Sequence, residues 1–574
     1  MVDLTRRETL RLMAAGFTSS VLACRRQSLA AEPPARPPNV VLVMTDDQGY
    51  GDLGCTGNRA IVTPNLDRFH GECTRLANFH ADPTCSPTRS ALMTGRYSSR
   101  TGVWHTIQGR SLLRAGEATM ADVLAASGYA TGIFGKWHLG DNFPFRPQDR
   151  GFAETLCHGG GGVGQTPDFW GNSYFDDTYW HNAKPEKFKG YCTDVFFDGA
   201  LKFIEANKDR PFFCYIPTNA PHGPYNVPEK YEKLYADKGV KGATAKFWGM
   251  ITNIDENFGR LLGKLKALGL EENTLVIFMT DNGTSGGTFN AGMRGHKGSE
   301  YDGGHRVPCF LRWPGRLKAG LDVARLTAHI DLLPTLITLC GLKRPEKVAF
   351  DGASLAPLLA GQGEWPDRTL FVHSQRIEVP HKWRQCAVMT DRWRLVNGKE
   401  LYDMQADPGQ QTNVADAHPD VAKKLCEAYE EWWFGLSPSF EDYCRIVIGS
   451  ERDNPARITC HDWHGPQVPW HQGAVRNTKA FANGFWAVEV ARAGRYEFTL
   501  RQQPTEANFP IQATEARLKI GDVDESKPVP QGATGVAFSV ELKPGKAQME
   551  TWLNDKTSGK GRGAYFVYVN YLGE

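Results

Sequence analysis

Four short apolar runs, each followed by polar side chains, constrain the fold of this chain more than any other feature of the sequence. The runs, which helical patterns separate, are Val40–Thr45, Ala130–Phe134, Phe212–Ile216 and Thr274–Thr280. Buried strands that alternate with helices are typical of a largely parallel sheet covered on both faces. Ligands bind at the carboxyl edge of such a sheet. We therefore predict one functional site where these four runs end.

Oxygen-bearing side chains follow the first and the fourth run. Asp46 and Asp47 come after one, Asp281 and Asn282 come after the other, and Met-Thr precedes both pairs. Three carboxylates and an amide oxygen suit Ca²⁺ or Mg²⁺, whereas zinc and copper prefer nitrogen and sulfur ligands. The alternative is that these residues only cap helices or close turns. The repetition of the pattern at two strand ends favours a metal site.

Basic side chains follow the other two runs. Lys136 and His138 stand two residues apart, so in extended chain they would point to one face. His222 follows the third run in a Pro-His pair, and Lys297 lies in a loop after the fourth. Histidines can move protons near neutral pH, and each of these short patterns alone also occurs in ordinary surface loops. Together they predict an anion site with acid–base groups.

The run Cys85-Ser86-Pro87-Thr88-Arg89 opens a predicted helix. Pro87 suits a first helical turn, where the missing N–H costs nothing. We expect Cys85 at the helix cap, where unpaired N–H groups and the helix dipole attract anions and lower a thiol pKa. The alternative is a buried cysteine before an ordinary helix.

These motifs, taken in order, resemble those of the type I sulfatases over about residues 38–435. The shared motifs are Thr45-Asp46-Asp47, the C-x-P-x-R run at Cys85, Gly135-Lys136-Trp137-His138-Leu139-Gly140, Pro221-His222, Thr280-Asp281-Asn282-Gly283 and the loop of Lys297. The resemblance implies an alkaline-phosphatase-like α/β fold with a mostly parallel sheet and flanking helices. It also implies that Cys85 is oxidised by a maturation enzyme to formylglycine (3-oxoalanine). The family more usually has Glu at the position of Asp302.

The resemblance assigns roles to the residues at the predicted edge. One calcium ion would be bound by Asp46, Asp47, residue 85, Asp281 and Asn282. Lys136 and Lys297 would hold sulfate oxygens, and Arg89 would steady the formylglycine hydrate. His222 would protonate the departing oxygen, and His138 would help to expel sulfate. One hydroxyl of the hydrate would attack sulfur, and the second would drive elimination of sulfate.

The function predicted from these motifs is hydrolysis of sulfate monoesters, on a sulfated carbohydrate more than on a steroid or lipid. A broad arylsulfatase would differ only in its pocket. A phosphodiesterase or phosphonate monoester hydrolase of the same superfamily would share the metal and the formylglycine. A further alternative is a catalytically silent carbohydrate-binding protein. The intact set of site residues argues against it.

The N-terminus predicts export. Residues 1–31 carry Arg6-Arg7 followed by the short apolar stretch Leu12–Ala23, which resembles a signal for the twin-arginine export machinery. Cleavage near Ala30 is favoured over lipidation of Cys24, and the stretch is too short for a transmembrane anchor. We therefore expect a periplasmic or secreted enzyme. The formal net charge of +2 gives no sign of a nucleic-acid partner.

The composition of the chain changes twice after the signal. Residues 32–38 form a Pro-rich linker, residues 39–345 the catalytic domain, residues 346–436 a small α+β subdomain, and residues 437–574 a β-sandwich. The subdomain is predicted to have four short antiparallel strands and a helix near Val421–Phe434. In the sandwich, Phe485–Val490 and Tyr496–Leu500 flank Ala493-Gly494 like a β-hairpin.

Other features carry weaker predictions. His158 and Gly159–Gly162 are expected to form a flexible loop at the pocket, because the lysine and strand–helix frame of a P-loop are absent. Packing is favoured over sugar binding for Trp104, His105, Trp170 and Trp180, and ring packing over metal binding for His461, Asp462, Trp463, His464 and His471. The thirteen cysteines show neither a dense disulfide framework nor a zinc pattern.

Overall fold

The computed structural model describes residues 36–346, 348–361 and 365–573. The signal predicted at 1–31, Cys24 and the first residues of the linker lie outside this part of the chain. No helix among the described residues is long and apolar enough to cross a membrane. The twelve cysteines of the described part are all free.

A ten-stranded sheet positions the four apolar runs as neighbouring central strands. The strands of the N-terminal part, up to residue 345, are β1 Asn39–Thr45, β2 Thr74–Leu76, β3 Phe79–His80, β4 Ala130–Lys136, β5 Glu154–His158, β6 Thr178–His181, β7 Lys184–Lys187, β8 Phe212–Pro217, β9 Thr274–Thr280, β10 Cys309–Arg312, β11 Asp322–Val323 and β12 Thr327–Ala328. Their order in the large sheet is β11-β2-β10-β9-β1-β8-β4-β5-β6-β7, and β3 pairs with β12 separately. The central strands β9 to β5 are parallel, whereas β10, β6 and β7 run antiparallel to their neighbours.

Helices cover both faces of this sheet. They are α1 Pro64–Glu72, α2 Cys85–Thr94, α3 Met120–Ala126, α4 Cys192–Ala206, α5 Glu229–Ala236, α6 Gly242–Ala267, α7 Asp302–His305, α8 Leu332–Cys340 and α9 Ala356–Leu359. Three-residue 3₁₀ turns lie at Pro147–Asp149, Glu271–Asn273, His329–Asp331, Ser437–Ser439, Cys460–Asp462 and Thr505–Ala507. Every residue of β1 is buried, and alternate residues such as Leu42 and Val43 belong to cores on opposite faces. A strand buried on both sides has to be apolar throughout, which explains the unbroken runs in the sequence.

A second, antiparallel sheet follows the N-terminal part. It contains β13 Leu370–His373, β14 Cys386–Met389, β15 Trp393–Val396 and β16 Glu400–Asp403. Helix α10, Pro419–Phe434, packs on this sheet through Leu425 and Tyr429. The predicted strands and helix are therefore confirmed here.

The last part of the chain forms two sheets around one core, as a β-sandwich requires. The strands are β17 Ile446–Ile448, β18 Ala456–Thr459, β19 Phe485–Val490, β20 Gly494–Arg501, β21 Glu515–Ile520, β22 Val523–Pro528, β23 Val536–Leu542, β24 Gly545–Asp555, β25 Lys560–Arg562 and β26 Phe566–Gly573, with the short helix α11 at Gln472–Arg476. The predicted hairpin is wrong, because β19 pairs with β17 and β24 whereas β20 pairs with β23 and β26 in the other sheet. The connection crosses between the sheets, so both strands face the same core from opposite sides.

Candidate active site

Strand register brings the acidic residues together. Strands β1 and β9 are parallel neighbours with Thr45 opposite Thr280, so Asp46 and Asp281 leave the sheet side by side. The Asp281 N–H donates to the Thr45 carbonyl at 3.0 Å. Cys85 joins this pair: one oxygen of Asp46, the Cys85 sulfur and one oxygen of Asp281 all lie within 4.8 Å of one another, and all three residues are buried. The edge of the sheet and the start of α2 therefore meet in one pocket.

Cys85 differs in two respects from the sequence prediction. Helix α2 begins at Cys85 and Thr84 occupies the cap position, so the cysteine is the first helical residue. Burial raises the pKa of its thiol to about 11, although the charges of Lys136 and Lys297 act in the opposite direction. The prediction of a lowered pKa is wrong, because desolvation of the buried thiolate outweighs the charges of the two lysines.

Arg89, one turn along α2, ties the helix to the sheet. Its guanidinium donates to the Asp281 carboxylate at 3.0 Å and to the Lys136 carbonyl at 2.8 Å. The side chain is almost completely buried. Arg89 therefore holds the carboxyl ends of β9 and β4 against the helix that carries Cys85.

Two lysines face the two neighbouring aspartates. The Lys136 ammonium lies 2.6 Å from Asp46 Oδ2, and the Lys297 ammonium lies 2.5 Å from Asp47 Oδ1. Burial alone would raise the pKa of Asp47, but the charges of Lys297, His222 and Lys136 hold it well below its usual range. Desolvation would lower the pKa of Lys297, and the charges of Asp47 and Asp46, with a hydrogen bond to Asp47, raise it instead. Asp47 and Lys297 are thus a charged pair at neutral pH.

The oxygen atoms of this cluster fit a hard cation. Asp46 Oδ1 and Asn282 Oδ1 are buried and have no hydrogen-bond partner among the described residues. Asp281 is buried, and burial together with the charge of Asp46 raises its pKa above the usual range, against the opposing charges of Arg89 and Lys136. Oxygen atoms of this kind are typical calcium ligands. Three carboxylates already face Lys136, Lys297 and Arg89, so a divalent cation would make the site positive and suit an anionic ester.

His222 points one ring nitrogen toward this cluster. Its Nδ1–H donates to the Gly223 carbonyl at 2.6 Å, which leaves Nε2 as the nitrogen 3.8 Å from Asp47 Oδ2. The Tyr174 hydroxyl donates to the His222 carbonyl at 3.1 Å, a support that the sequence gave no reason to expect. Burial lowers the pKa of His222 to about 4, against the opposing charge of Asp47.

His138 lies near the cluster in a conformation that the sequence prediction missed. Strand β4 ends at Lys136 and His138 adopts φ +60°, so the extended-chain argument for Lys136 and His138 is wrong. The His138 Nε2–H donates to the Thr106 carbonyl at 2.9 Å, and its buried Nδ1 has no partner among the described residues. Burial, followed by the charge of Lys136, lowers its pKa well below the usual range.

The glycine run at 159–162 supports both histidines. A Cβ atom at Gly161 would lie 2.2 Å from His138 Cε1, whereas one at Gly162 would lie 3.5 Å from His222 Nδ1. The Gly159, Gly160 and Gly161 N–H groups donate to side chains, namely to Asp168, Asp141 and Gln165. The run does edge the pocket as expected, but its bonded N–H groups do not fit a flexible loop. Four consecutive small residues were the only signal in the sequence.

The remaining aromatic and histidine candidates pack as predicted, except for His471, which contacts Trp470 but also lines a cavity. Trp104 is buried against Phe440, Trp170 lies under Arg476, Trp180 contacts Phe169, and His105 is buried. His461 pairs with Asp462, Trp463 packs on Trp486, and His464 contacts Phe485. None of these residues belongs to a possible metal-binding group in the described part of the chain.

Comparisons with known proteins agree with this geometry. A family model described as Sulfatase matches residues 38–342, and one described as N-sulphoglucosamine sulphohydrolase, C-terminal, matches residues 296–432. Arylsulfatase A of Homo sapiens is 33% identical over 476 residues, covering 71% of this chain and 90% of that protein. N-acetylgalactosamine-6-sulfatase of Mus musculus is 31% identical over 427 residues, covering 68% and 79%. The solved structure of Ps i-CgsB in complex with k-i-k-neocarrahexaose is 28% identical with a TM-score of 0.65, covering 71% of this chain and 95% of that chain.

Proposed function

Because this chain belongs to the sulfatase family, whose members hydrolyse sulfate esters, we propose that it cleaves sulfate monoesters with calcium and a formylglycine made from Cys85. The observation that carries the proposal is the meeting of Asp46, Asp281 and the Cys85 sulfur within 4.8 Å. These atoms come from two strands and one helix that lie far apart in sequence. A buried thiol with a raised pKa is a poor nucleophile, which agrees with a residue that is modified before it acts.

The site suits both groups that the reaction would need. Asp46, Asp47, Asp281, Asn282 and residue 85 would hold calcium, which when bound supplies positive charge that stabilises the anions of the reaction. Formylglycine at position 85 would supply a hydrated aldehyde as the nucleophile. The unpartnered Asp46 Oδ1 and Asn282 Oδ1 support the metal, and the raised pKa of the buried Cys85 thiol supports a nucleophile other than the thiolate.

Lys136 and Lys297 bind and orient the sulfate group in this proposal. Each ammonium group contacts a carboxylate with one of its three donors, so further donors remain for sulfate oxygens. Lys136 is fully buried, whereas the Lys297 side chain is 17% exposed. Arg89 does not contact sulfate in this proposal. It bonds to Asp281 and to the Lys136 carbonyl at the end of β4, and so holds both in position beside residue 85.

Proton transfer falls to the two histidines. His222 is held by its Nδ1–H bond to Gly223, so its Nε2 is the atom that would deliver a proton to the departing oxygen. An anionic ester beside this ring would oppose the desolvation that lowers the pKa of His222. The unpartnered Nδ1 of His138 would accept a proton when sulfate leaves residue 85.

A sulfated carbohydrate is the substrate class that we propose. Ps i-CgsB was solved with a neocarrahexaose, and the mouse relative is an N-acetylgalactosamine-6-sulfatase. We also propose export to the periplasm or medium on the basis of residues 1–31, and the domain boundaries near residues 345 and 436. A maturation enzyme would have to act on Cys85.

The test uses protein co-expressed with a formylglycine-generating enzyme. We expect sulfate release from 4-nitrophenyl sulfate by the wild type and by Cys386→Ala, a buried free cysteine outside the site, but none by Cys85→Ala. A panel of sulfated oligosaccharides from carrageenan, chondroitin sulfate and heparan sulfate then defines the substrate. Faster turnover of bis(4-nitrophenyl) phosphate than of the sulfate would favour a phosphodiesterase. Equal rates for Cys85→Ala and wild type would overturn the proposal.

A further inference from the structure

A cavity of about 590 Å³ adjoins His222 and is shared between the catalytic part and the sandwich. Its walls include Gly162–Gln165 and Asn172–Tyr174 from the catalytic part. His222–Pro224 and Asn226 also line it, and Trp470 and His471 contribute a wall from a loop of the sandwich. A volume of this size is typical of small-ligand pockets.

The sandwich loop is fixed in this position by hydrogen bonds to the catalytic part. The Thr166 N–H donates to the Trp470 carbonyl at 3.0 Å, and its hydroxyl donates to the Pro469 carbonyl at 2.6 Å. On the other side of Trp470, the Gln472 N–H donates to the Gly164 carbonyl at 3.1 Å. The wall is therefore ordered before any ligand arrives, which lowers the entropic cost of binding.

The chemistry of the cavity is neutral. Its lining among the described residues includes no Lys, Arg, Asp or Glu, and burial lowers the pKa of His471. Gln165, Asn172 and Asn226 supply amides that can bind hydroxyl groups. The Trp470 indole is 42% exposed, which is unusual for a large apolar side chain, and offers a flat apolar surface.

We propose that Trp470 and these amides bind an uncharged sugar ring of the leaving alcohol, so that the sandwich supplies a subsite next to the sulfate pocket. The inference rests on the proposed function, because His222 is placed there at the departing oxygen. Both family models end before this loop, at residues 342 and 432, so the subsite lies in a part of the chain that they do not describe.

Trp470→Ala tests this subsite in the full-length, matured protein. Phe481→Ala is the matched control, since Phe481 is 41% exposed in the same sandwich and does not line the cavity. We expect kcat/KM for a sulfated carrageenan, chondroitin or heparan oligosaccharide to fall about tenfold in Trp470→Ala, a loss of ~1.4 kcal/mol. Turnover of 4-nitrophenyl sulfate should stay at the wild-type level, and Trp470→Phe should restore most of the oligosaccharide activity.

Each other outcome has a definite meaning. Equal oligosaccharide kinetics for Trp470→Ala and Phe481→Ala would overturn the subsite. Wild-type activity on 4-nitrophenyl sulfate but on no oligosaccharide would overturn it too, while the proposed function would stand. A matured wild type that releases sulfate from neither class would overturn the proposed function and the subsite with it.

Discussion

Replacement of Gly161 by alanine should inactivate the enzyme through one side chain, His138. The new Cβ would lie 2.2 Å from His138 Cε1 and 2.4 Å from its Nε2, so the ring would have to retreat by about 1.2 Å to reach the 3.4 Å of ordinary contact. Gly161 has no positive φ, so the substitution adds this contact without backbone strain. The movement would also break the bond from His138 to the Thr106 carbonyl.

A displacement of 1 Å in a catalytic group can cost about 10²-fold in rate, and we expect a fall in kcat of that order. The assay is sulfate release from saturating 4-nitrophenyl sulfate, with the melting temperature as a check on folding. Gly162→Ala is the matched control, because its Cβ would meet His222 at 3.5 Å, an ordinary contact. We expect Gly162→Ala to keep a kcat close to that of the wild type.

A double variant isolates the cause. If the clash acts through the His138 ring, the double variant that combines Gly161→Ala and His138→Ala should have the same kcat as the single variant His138→Ala. Additive losses in the double variant would refute this reasoning. A Gly161→Ala enzyme with wild-type kcat would refute it as well.

Three further predictions concern the charges and the buried groups. Arg394→Leu should lower the free energy of unfolding by about 3–5 kcal/mol in urea denaturation, because the buried carboxylate of Asp302, which lies 3.0 Å from Arg394, would lose its cation. The double variant Arg394→Leu with Asp302→Asn should recover part of this loss. No recovery would contradict the pairing. Burial lowers the pKa of His373 to about 3 from 6.5, so its contribution to stability is present above pH 6.5 and is lost as the pH falls toward 3. His373→Gln should therefore reduce the loss of unfolding free energy between pH 7 and pH 5 by about 2 kcal/mol, at roughly 1.4 kcal/mol per pH unit, and an unchanged pH dependence would be the contrary result. Elemental analysis should find less bound calcium in Asp281→Asn than in the wild type. Asp255→Asn is the control and should retain calcium, because Asp255 is a buried carboxylate that accepts hydrogen bonds from Asn65 and Leu66. Equal calcium contents in the two variants would argue against the proposed ligands.

The central strands and the residues at their ends could be predicted from the sequence because one physical cause governs both. A strand such as β1 that is buried on both faces is apolar throughout, so its end and the first polar residue after it are visible in the sequence. The pairing of Asp46 with Asp281 then needs only that β1 and β9 be parallel neighbours.

Predictions that depended on packing beyond the local chain were less successful. The left-handed conformation of His138 and the raised pKa of the Cys85 thiol are set by neighbours from distant segments. The alternation of apolar and polar residues in β19 and β20 is the same whether the two strands form a hairpin or lie in different sheets. Trp470 gave no signal at all, because its place in the pocket follows from how the sandwich docks on the Thr166 loop.

The most direct test of the central claim relates turnover to the chemical state of residue 85. Preparations with different degrees of maturation can be made by varying co-expression of the maturation enzyme. Mass spectrometry of the peptide containing residue 85 gives the fraction converted from thiol to aldehyde. Sulfate release per molecule should be proportional to that fraction and extrapolate to zero with no conversion. Substantial turnover by wholly unconverted protein would contradict the account.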